Sequence, residues 1–318
     1  MQPDLTLAFL NYNTTAELRQ ALAAVPAALA GMPAQVVVID NASRDNPAAQ
    51  LRQQFPGVQW LQNATNLGFA AAFNRLFSFI ISPYYLLLNS DIILPPDSVR
   101  AMLDTARRYS TLGLAGVALV REDGTAQSSY GRAPTLASEL INRSLWRRMT
   151  QVGARADEPF DVESVVGAVM LVPRTTIERA GGLDERYFFF MEETDWCRRI
   201  RAAGLRVLHF PHVRVTHLQG RAANKEPLRS RIEFHRSRLL YFKIHYGQGA
   251  STLLYGGTLA RLVLNTAAHC LLVALTVGLV GKLRRKTVVY AGLLAWYALG
   301  CPQGWGMRRA PVRRSRRH

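Results

Sequence analysis

Acid is what the last third of this chain lacks. Of its 22 Asp and Glu residues only Glu226 and Glu233 lie beyond position 220, whereas 18 of the 39 Lys and Arg residues do. The net charge of +17 over 318 residues therefore belongs almost wholly to residues 221–318, and the first 220 are close to neutral. Such an asymmetry asks for a separate explanation of the basic end. Cysteine is also scarce. Cys197, Cys270 and Cys301 have no CxxC-type neighbour, which excludes a disulfide framework and a cysteine zinc site. The first residues, Met1 to Phe9, have neither a basic stretch nor a long apolar run, so no signal peptide is expected and the neutral part should remain in the cytoplasm. No aromatic residues interleave the terminal arginines, so no nucleic-acid partner is expected. Hydrophobic residues are not short: 49% of the chain is ample for a core and excludes global disorder.

Leu5–Leu10, Gln35–Asp40, Val58–Gln62 and Tyr85–Asn89 read as short strands that are apolar on both faces. Between them lie helical stretches ending near Leu29, over about Ala48–Gln54, and over Phe69–Ile81, with Thr14 or Thr15 as a cap for the first. Strands alternating with helices imply βαβ units and a mostly parallel sheet covered on both sides. A helix over Pro96–Tyr109 and a strand over Gly113–Val120 follow. Residues 121–162 are polar and irregular, a loop over the site. Val165–Val172 is expected as a strand, Arg174–Ala180 as a helix, Glu192–Ala203 as a helix after the Gly181-Gly182 break, and Arg206–Phe210 and Val213–Thr216 as strands.

The chemistry-bearing residues gather at the predicted strand ends. The apolar run Tyr85-Leu-Leu-Leu stops at Asn89-Ser90-Asp91, and Gln35–Asp40 stops at a second carboxylate. A strand-end Asp is commonly a cap or turn residue. Two at successive βα junctions share the sheet edge where open α/β folds bind ligands, and they suit a nucleotide with a divalent cation, Mg²⁺ or Mn²⁺. Gly68 opens the Phe69 helix after Asn66, where a helix N-terminus favours anions; a plain loop-to-helix turn capped by Asn66 is the alternative. Four aromatics, Tyr187 to Phe190, run into Glu192, Glu193 and Asp195. Acids at a helix start interact well with its dipole, but beside an apolar wall a carboxylate's pKa rises, which suits a general base. His209, His212 and His217 follow, and His217 at the end of Val213–Thr216 could reach the same edge as a metal ligand.

In this order, Asn11-Tyr-Asn13, Val38-Ile-Asp40-Asn-Ala-Ser-Arg-Asp45, Asn66-Leu-Gly-Phe-Ala-Ala-Ala-Phe-Asn74, Leu87-Leu-Asn-Ser-Asp91, Gly167–Arg174, Gly182-Leu-Asp-Glu, Phe190–Cys197 and Val215-Thr-His217 resemble family 2 glycosyltransferases of the GT-A fold, especially the bacterial rhamnosyltransferase-like branch. The resemblance spans about residues 5–220. It implies an α/β, Rossmann-like domain that binds a nucleotide-diphosphate sugar through Asn13, Asp40, Asn66, Gly68, Asn74, Asn89, Asp91 and Gly167. Asp40 would contact the base, and Asp91, last acid of an Asp-x-Asp-like motif, would bind the cation with His217. Asn89 stands at the first position of that motif, so one anionic ligand is missing. Glu193 falls at the position of the general base, where many relatives carry Asp, with Glu192 and Asp195 beside it. The implied reaction is inverting glycosyl transfer to a glycan or polyprenyl-linked acceptor.

Residues 221–318 form the second expected domain: an amphipathic helix over Leu228–Tyr246, apolar stretches over Leu253–Gly281 and Thr287–Gly300, the basic Lys282–Lys286 between them, and six arginines in Arg308–Arg317. Leu262–Gly281, about 20 residues, is long enough to span a bilayer. One crossing would put Lys282–Lys286 on the outer side, against the positive-inside tendency. Helices lying in the cytoplasmic leaflet of a bacterial inner membrane fit better, a tilted hairpin being the alternative and a soluble helical subdomain another. Two other function classes compete with glycosyl transfer: another nucleotide-sugar or nucleotidyl enzyme, which has no need of Glu192–Asp195, and a catalytically silent membrane adaptor, made conceivable by Asn89.

Overall fold

The computed structural model describes residues 3–140, 157–218 and 226–307. These form two compact units: Met1–Ala133, Gln151–Tyr187 and Glu192–Ala222 in the first, Pro134–Thr150, Phe188–Met191 and Ala223–His318 in the second. The Arg308–Arg317 run lies outside the described residues.

The first unit is built on strands β1 (Leu5–Asn11), β2 (Gln35–Asp40), β3 (Val58–Gln62), β4 (Tyr84–Asn89), β5 (Ile92–Ile93), β6 (Leu112–Val120), β7 (Tyr130–Gly131), β8 (Phe160–Asp161), β9 (Ser164–Val165), β10 (Val169–Pro173) and β11 (Arg206–His217). Its helices are α1 (Thr15–Leu29), α2 (Pro47–Leu51), α3 (Phe69–Phe79), α4 (Ser98–Arg107), α6 (Arg174–Ala180) and α7 (Glu192–Ala202); α5 (Leu136–Leu140) belongs to the second unit. The main sheet runs β3-β2-β1-β4-β10-β6-β11-β5, with β8 against β11.

Side chains alternate across a strand, and here both faces are apolar. Leu5, Leu7 and Phe9 of β1, Leu86 and Leu88 of β4, and Val169 and Leu171 of β10 join Leu18, Leu22 and Val25 of α1 and Val99 and Met102 of α4 in one core. The intervening Ala8, Leu87 and Met170 are equally buried on the opposite face, where α3 contributes Phe73 and Leu76 and α7 Trp196. Each such buried apolar side chain stabilises by about 1.5–3 kcal/mol relative to exposure.

The half-sheet β3-β2-β1-β4 is parallel, as the βαβ spacing predicts. Beyond it the sheet is mixed. Strand β10 lies antiparallel between β4 and β6, and β5 and β8 are antiparallel to β11. The reason is where β10 begins: its chain enters at the edge where the parallel strands end, so it must run back. The strand expected over Val165–Val172 is correspondingly two pieces, because Val165 pairs with Tyr130 in a separate ribbon before the chain turns through Val166–Ala168. Arg206–Phe210 and Val213–Thr216 join into one strand whose register slips between Phe210 and Arg214. Pro211 lies in that slip and has no N–H to donate to a ladder.

The second unit contains α8 (Pro227–Leu275) and α9 (Gly281–Ala298). Helix α8 bends at Gly247, whose φ of 84° is non-helical, so Leu228–Tyr246 is a separate segment as expected. Ile232, Leu262, Leu293, Trp296 and Tyr297 make its core. The buried Arg238 pairs with Glu139 of α5 at 2.8 Å and donates to Thr258, while Arg261 donates to the Glu139 carbonyl. Lys282–Lys286 is no break: these good helix formers make the first turns of α9. Among the described residues one helix, α8, holds a stretch long and apolar enough to cross a membrane, with mean hydropathy 1.6 and only 11% of that stretch buried.

Candidate active site

The ends of β1, β2, β4 and β11 and the start of β10 share one edge of the sheet, and the polar residues singled out above lie along it. Asp91 and His217, 126 positions apart, meet because β5 pairs antiparallel with the last residues of β11. The register sets His217 opposite Ile92, and the Leu218 N–H donates to the Asp91 carbonyl at 3.0 Å. Their side chains face each other, His217 Nε2 lying 3.5 Å from Asp91 Oδ1. His217 is held from behind by Gln127, whose Nε2 donates to the His217 carbonyl at 2.7 Å while its Oε1 lies 3.1 Å from Nδ1.

A chain of hydrogen bonds links this pair to Asp40. The buried Asp40 accepts from Asn11 Nδ2 at 3.2 Å and from the Ser43 N–H at 3.3 Å. Thr14 Oγ1 donates to Asn11 Oδ1 at 2.9 Å and lies 2.6 Å from Ser90 Oγ. With the Thr14 proton used on Asn11, Ser90 must donate to Thr14. The Thr14 hydroxyl therefore ties two strand ends together and does not cap α1, although Thr14 occupies the N-cap position. Asn13, in the left-handed region at φ 57°, donates its N–H to Ser43 Oγ and accepts from the Arg44 N–H.

Asn41 is the hub of the neighbouring loop. It is buried, its Nδ2 donates to Asn66 Oδ1 at 2.8 Å and to the Gly68 carbonyl, and its Oδ1 accepts from Asn63 Nδ2 and the Leu67 N–H. Asn66 also accepts from the Gly68 N–H. Gly68 has φ 85°, a conformation that strains a residue with a side chain, and it brings Phe69 into the helix start. Asn74 is spent elsewhere: its amide exchanges two hydrogen bonds with the Leu183 backbone, at 2.7 and 2.9 Å, and donates to Glu185. It fixes the Gly181-Gly182 turn, and a Cβ on Gly182 would collide with its Oδ1.

Asn89 is half-buried at the end of β4, its N–H bonded to the Ala168 carbonyl. One residue earlier, Gly167 lies beside Glu193, whose Cβ and Cγ would be in ordinary contact, at 3.5 Å, with a Cβ there. Burial pushes the Glu193 pKa above the ordinary carboxylate value, against the pull of the Glu193, Thr194 and Gly167 N–H groups. Asp195 is occupied: Arg199 Nε lies 2.8 Å from its Oδ2, and Arg199 also donates to the Ala180 and Gly182 carbonyls. Glu192 is 3% exposed. Thus Glu193 sits against the sheet edge at Gly167, whereas Asp195 braces α7 against the turn before it.

Sequence reasoning overlooked Thr14, Ser90 and Gln127 as parts of the site. Asn41 and Ser43 lie in the Asp40–Asp45 segment it singled out, so a run of short polar residues after a buried strand was their signal. Gln127 had none, being one residue in a stretch read as irregular.

Among the described residues no three His, Cys, Asp or Glu side chains cluster as a metal cage. The Asp91–His217 pair still fits a divalent cation that takes its remaining ligands from a bound diphosphate, since Mg²⁺-type sites use one or two protein carboxylates and imidazole suits Mn²⁺-like ions.

Residues 8–170 match the family model for Glycosyl transferase family 2. The chain is 27% identical over 228 residues to the N-acetylglucosaminyl-diphospho-decaprenol L-rhamnosyltransferase of Mycobacterium tuberculosis, covering 66% of this chain and 74% of that one. It is 27% identical over 142 residues to rhamnosyltransferase WbbL of Escherichia coli, covering 42% and 52%. Among solved structures, the mannosyltransferase PcManGT from Pyrobaculum calidifontis, in complex with GDP-Man and Mn²⁺, is similar with TM-score 0.54 at 17% identity over 95% of this chain and 87% of its own. GalNAc-T7 with UDP, GalNAc and Mn²⁺ gives TM-score 0.51 at 13% identity over 68% and 44%. These likenesses show a GT-A-type fold.

The raised Glu193 pKa has a sign that a stability measurement reads. The fold favours the protonated acid, so the stability this confers is present below the ordinary Glu value and is lost as pH rises through the raised one. Glu193→Gln, a neutral isostere, is expected to melt higher than the natural chain at pH 8, with the difference closing by pH 4. Thermal unfolding across that range checks it.

Proposed function

The chain belongs to glycosyl transferase family 2, and from that premise we propose that it moves a sugar, rhamnose, from a nucleoside diphosphate to a hydroxyl of a polyprenyl-diphosphate-linked glycan, with inversion, in cell-surface polysaccharide assembly. The observation that carries the reading is one sheet edge holding both an acid of raised proton affinity, Glu193, and the facing Asp91–His217 pair. The names of the mycobacterial and E. coli relatives support the rhamnosyl donor, and the former's name supports a lipid-linked acceptor.

Glu193 takes the proton of the acceptor hydroxyl as its oxygen attacks the anomeric carbon. The bond from that carbon to the diphosphate breaks, its electron pair leaving with the nucleoside diphosphate. Glu193 is preferred to its neighbours because Asp195 is held by Arg199. Asp91 and His217 would hold a divalent cation, Mg²⁺ or Mn²⁺, whose charge offsets that of the leaving diphosphate. The hydrogen-bonded loops from Asn11 to Thr14 and Asn41 to Gly68 hold the nucleotide side of the site, a task that preorganisation makes efficient.

The second unit places the enzyme at its acceptor, on the cytoplasmic face of the inner membrane. Leu264, Leu271, Leu275, Val277 and Leu279 are 61–85% exposed around the turn between α8 and α9, and Lys282, Arg284, Arg285 and Lys286 follow at once. No acid follows Glu233, so the surface suits anionic headgroups. Exposed apolar residues beside a basic collar fit a hairpin that dips into one leaflet.

Transfer to a polyprenyl-diphosphate N-acetylglucosamine acceptor, scanned over nucleotide sugars with Mn²⁺ or Mg²⁺, tests the reaction. Glu193→Gln should lower kcat by about 10²–10⁴-fold with donor binding intact, and Asp91→Ala should lower turnover at saturating donor. Binding of donor without transfer to any acceptor would favour the silent adaptor. Sedimentation with anionic vesicles tests the surface: Val277→Ser with Leu279→Ser should weaken binding about tenfold or more, at roughly 1 kcal/mol or more for each buried side chain removed. A chain that stays wholly in the supernatant would refute it.

A further inference from the structure

Gln127 is 8% exposed and rigidly placed. It follows a tight hairpin that extends β6, in which Val120 bridges Ala126, Arg121 N–H donates to the Thr125 carbonyl, and Asp123 Oδ1 accepts from Thr125 N and Oγ1. Its own N–H donates to the Leu119 carbonyl at 2.8 Å. The backbone of Gln127 is therefore fixed before its side chain makes any contact.

The side-chain contacts fix which end of the Gln127 amide is which. Two carbonyl oxygens, those of His217 at 2.7 Å and Val120 at 3.4 Å, surround one end of the amide. Carbonyl oxygens only accept, so that end must be the NH₂ group. The other end, Oε1, then faces His217 Nδ1 at 3.1 Å and can only accept, so Nδ1 carries the proton. A neutral imidazole has one N–H. In the neutral ring the remaining nitrogen, Nε2, is a bare lone pair, and it faces Asp91 Oδ1 at 3.5 Å. Two acceptors facing each other repel, and a proton or a divalent cation between them turns that repulsion into binding.

We propose that Gln127 is a positioning residue that sets the Nδ1–H tautomer of His217 and so presents Nε2, together with Asp91, to a divalent cation. Partners that orient a ligating imidazole through its other nitrogen raise its basicity and hold its ring. Here one amide grips both the ring and the backbone of the same histidine, which fixes ring rotation as well as tautomer. The cation part of the proposal rests on Asp91 and His217 being the ligands; the tautomer does not.

Long-range ¹H–¹⁵N spectra of the full-length chain labelled at histidine, recorded at pH 8 without metal, read the tautomer directly, with His217 assigned by its loss in His217→Gln. The proposal expects Nδ1–H in the natural chain and a shift towards Nε2–H in Gln127→Met. A proton on Nε2 of the natural chain overturns it. Mn²⁺ titration of the same samples should show affinity about 10–100-fold weaker in Gln127→Met. Unchanged affinity in a folded Gln127→Met overturns the positioning role. Should the natural chain show Nδ1–H and yet bind no Mn²⁺ with donor present, the ligand assignment of Asp91 and His217 falls, and the link from Gln127 to a cation falls with it.

Discussion

The register between β5 and the end of β11 is the constraint on which the rest of this enzyme depends. A two-residue strand pairs Ile92 with His217 and Ile93 with Thr216, and that pairing alone brings a carboxylate from the first third of the chain against an imidazole from beyond residue 210. Side chains alternate across a strand, so a slip of one residue would turn His217 to the other face and leave Asp91 without its partner. The Leu218 N–H bonded to the Asp91 carbonyl closes the pair one step further and resists that slip.

Around this pair, polar side chains are satisfied mainly by one another. Ser90 donates to Thr14, Thr14 to Asn11, and Asn11 to Asp40, while Asn41 holds Asn63, Asn66 and the backbone of Leu67 and Gly68. Buried groups of this kind are costly when unpaired and rigid when fully paired. The site is accordingly organised before any ligand arrives. Glu193 is the exception, a carboxyl whose burial raises its proton affinity, and that is the property a base needs. Its two neighbours serve the framework: Asp195 is bound to Arg199, and Glu192 lies in the interior.

The strands were legible because they are short, apolar on both faces and stop at polar clusters, so β1 to β4 and their parallel order follow from the spacing of Leu5–Leu10, Gln35–Asp40, Val58–Gln62 and Tyr85–Asn89. The antiparallel course of β10 was not legible, since direction is decided by which edge the chain enters, and Val169–Pro173 carries no mark of that. The same holds for the continuous β11: Pro211 suggests an interruption, and only the partner strand β6 shows that the ladder resumes at Arg214. Asp91, Glu193 and His217 were visible as acids and an imidazole at strand or helix ends. The reach of Asn74 to Leu183 and of Gln127 to His217 spans about a hundred residues in each case, and side-chain amides announce nothing of their partners.

The proposed reaction is one direct displacement, with Glu193 activating the acceptor and the diphosphate leaving from the other face of the sugar. The most direct measurement is the anomeric configuration of the transferred sugar, read by NMR from the product formed by the natural chain and compared with that of the donor. Single displacement requires the opposite configuration in the product. A product that keeps the donor's configuration would contradict it, since retention needs two successive displacements or a front-face path that gives Glu193 a different role.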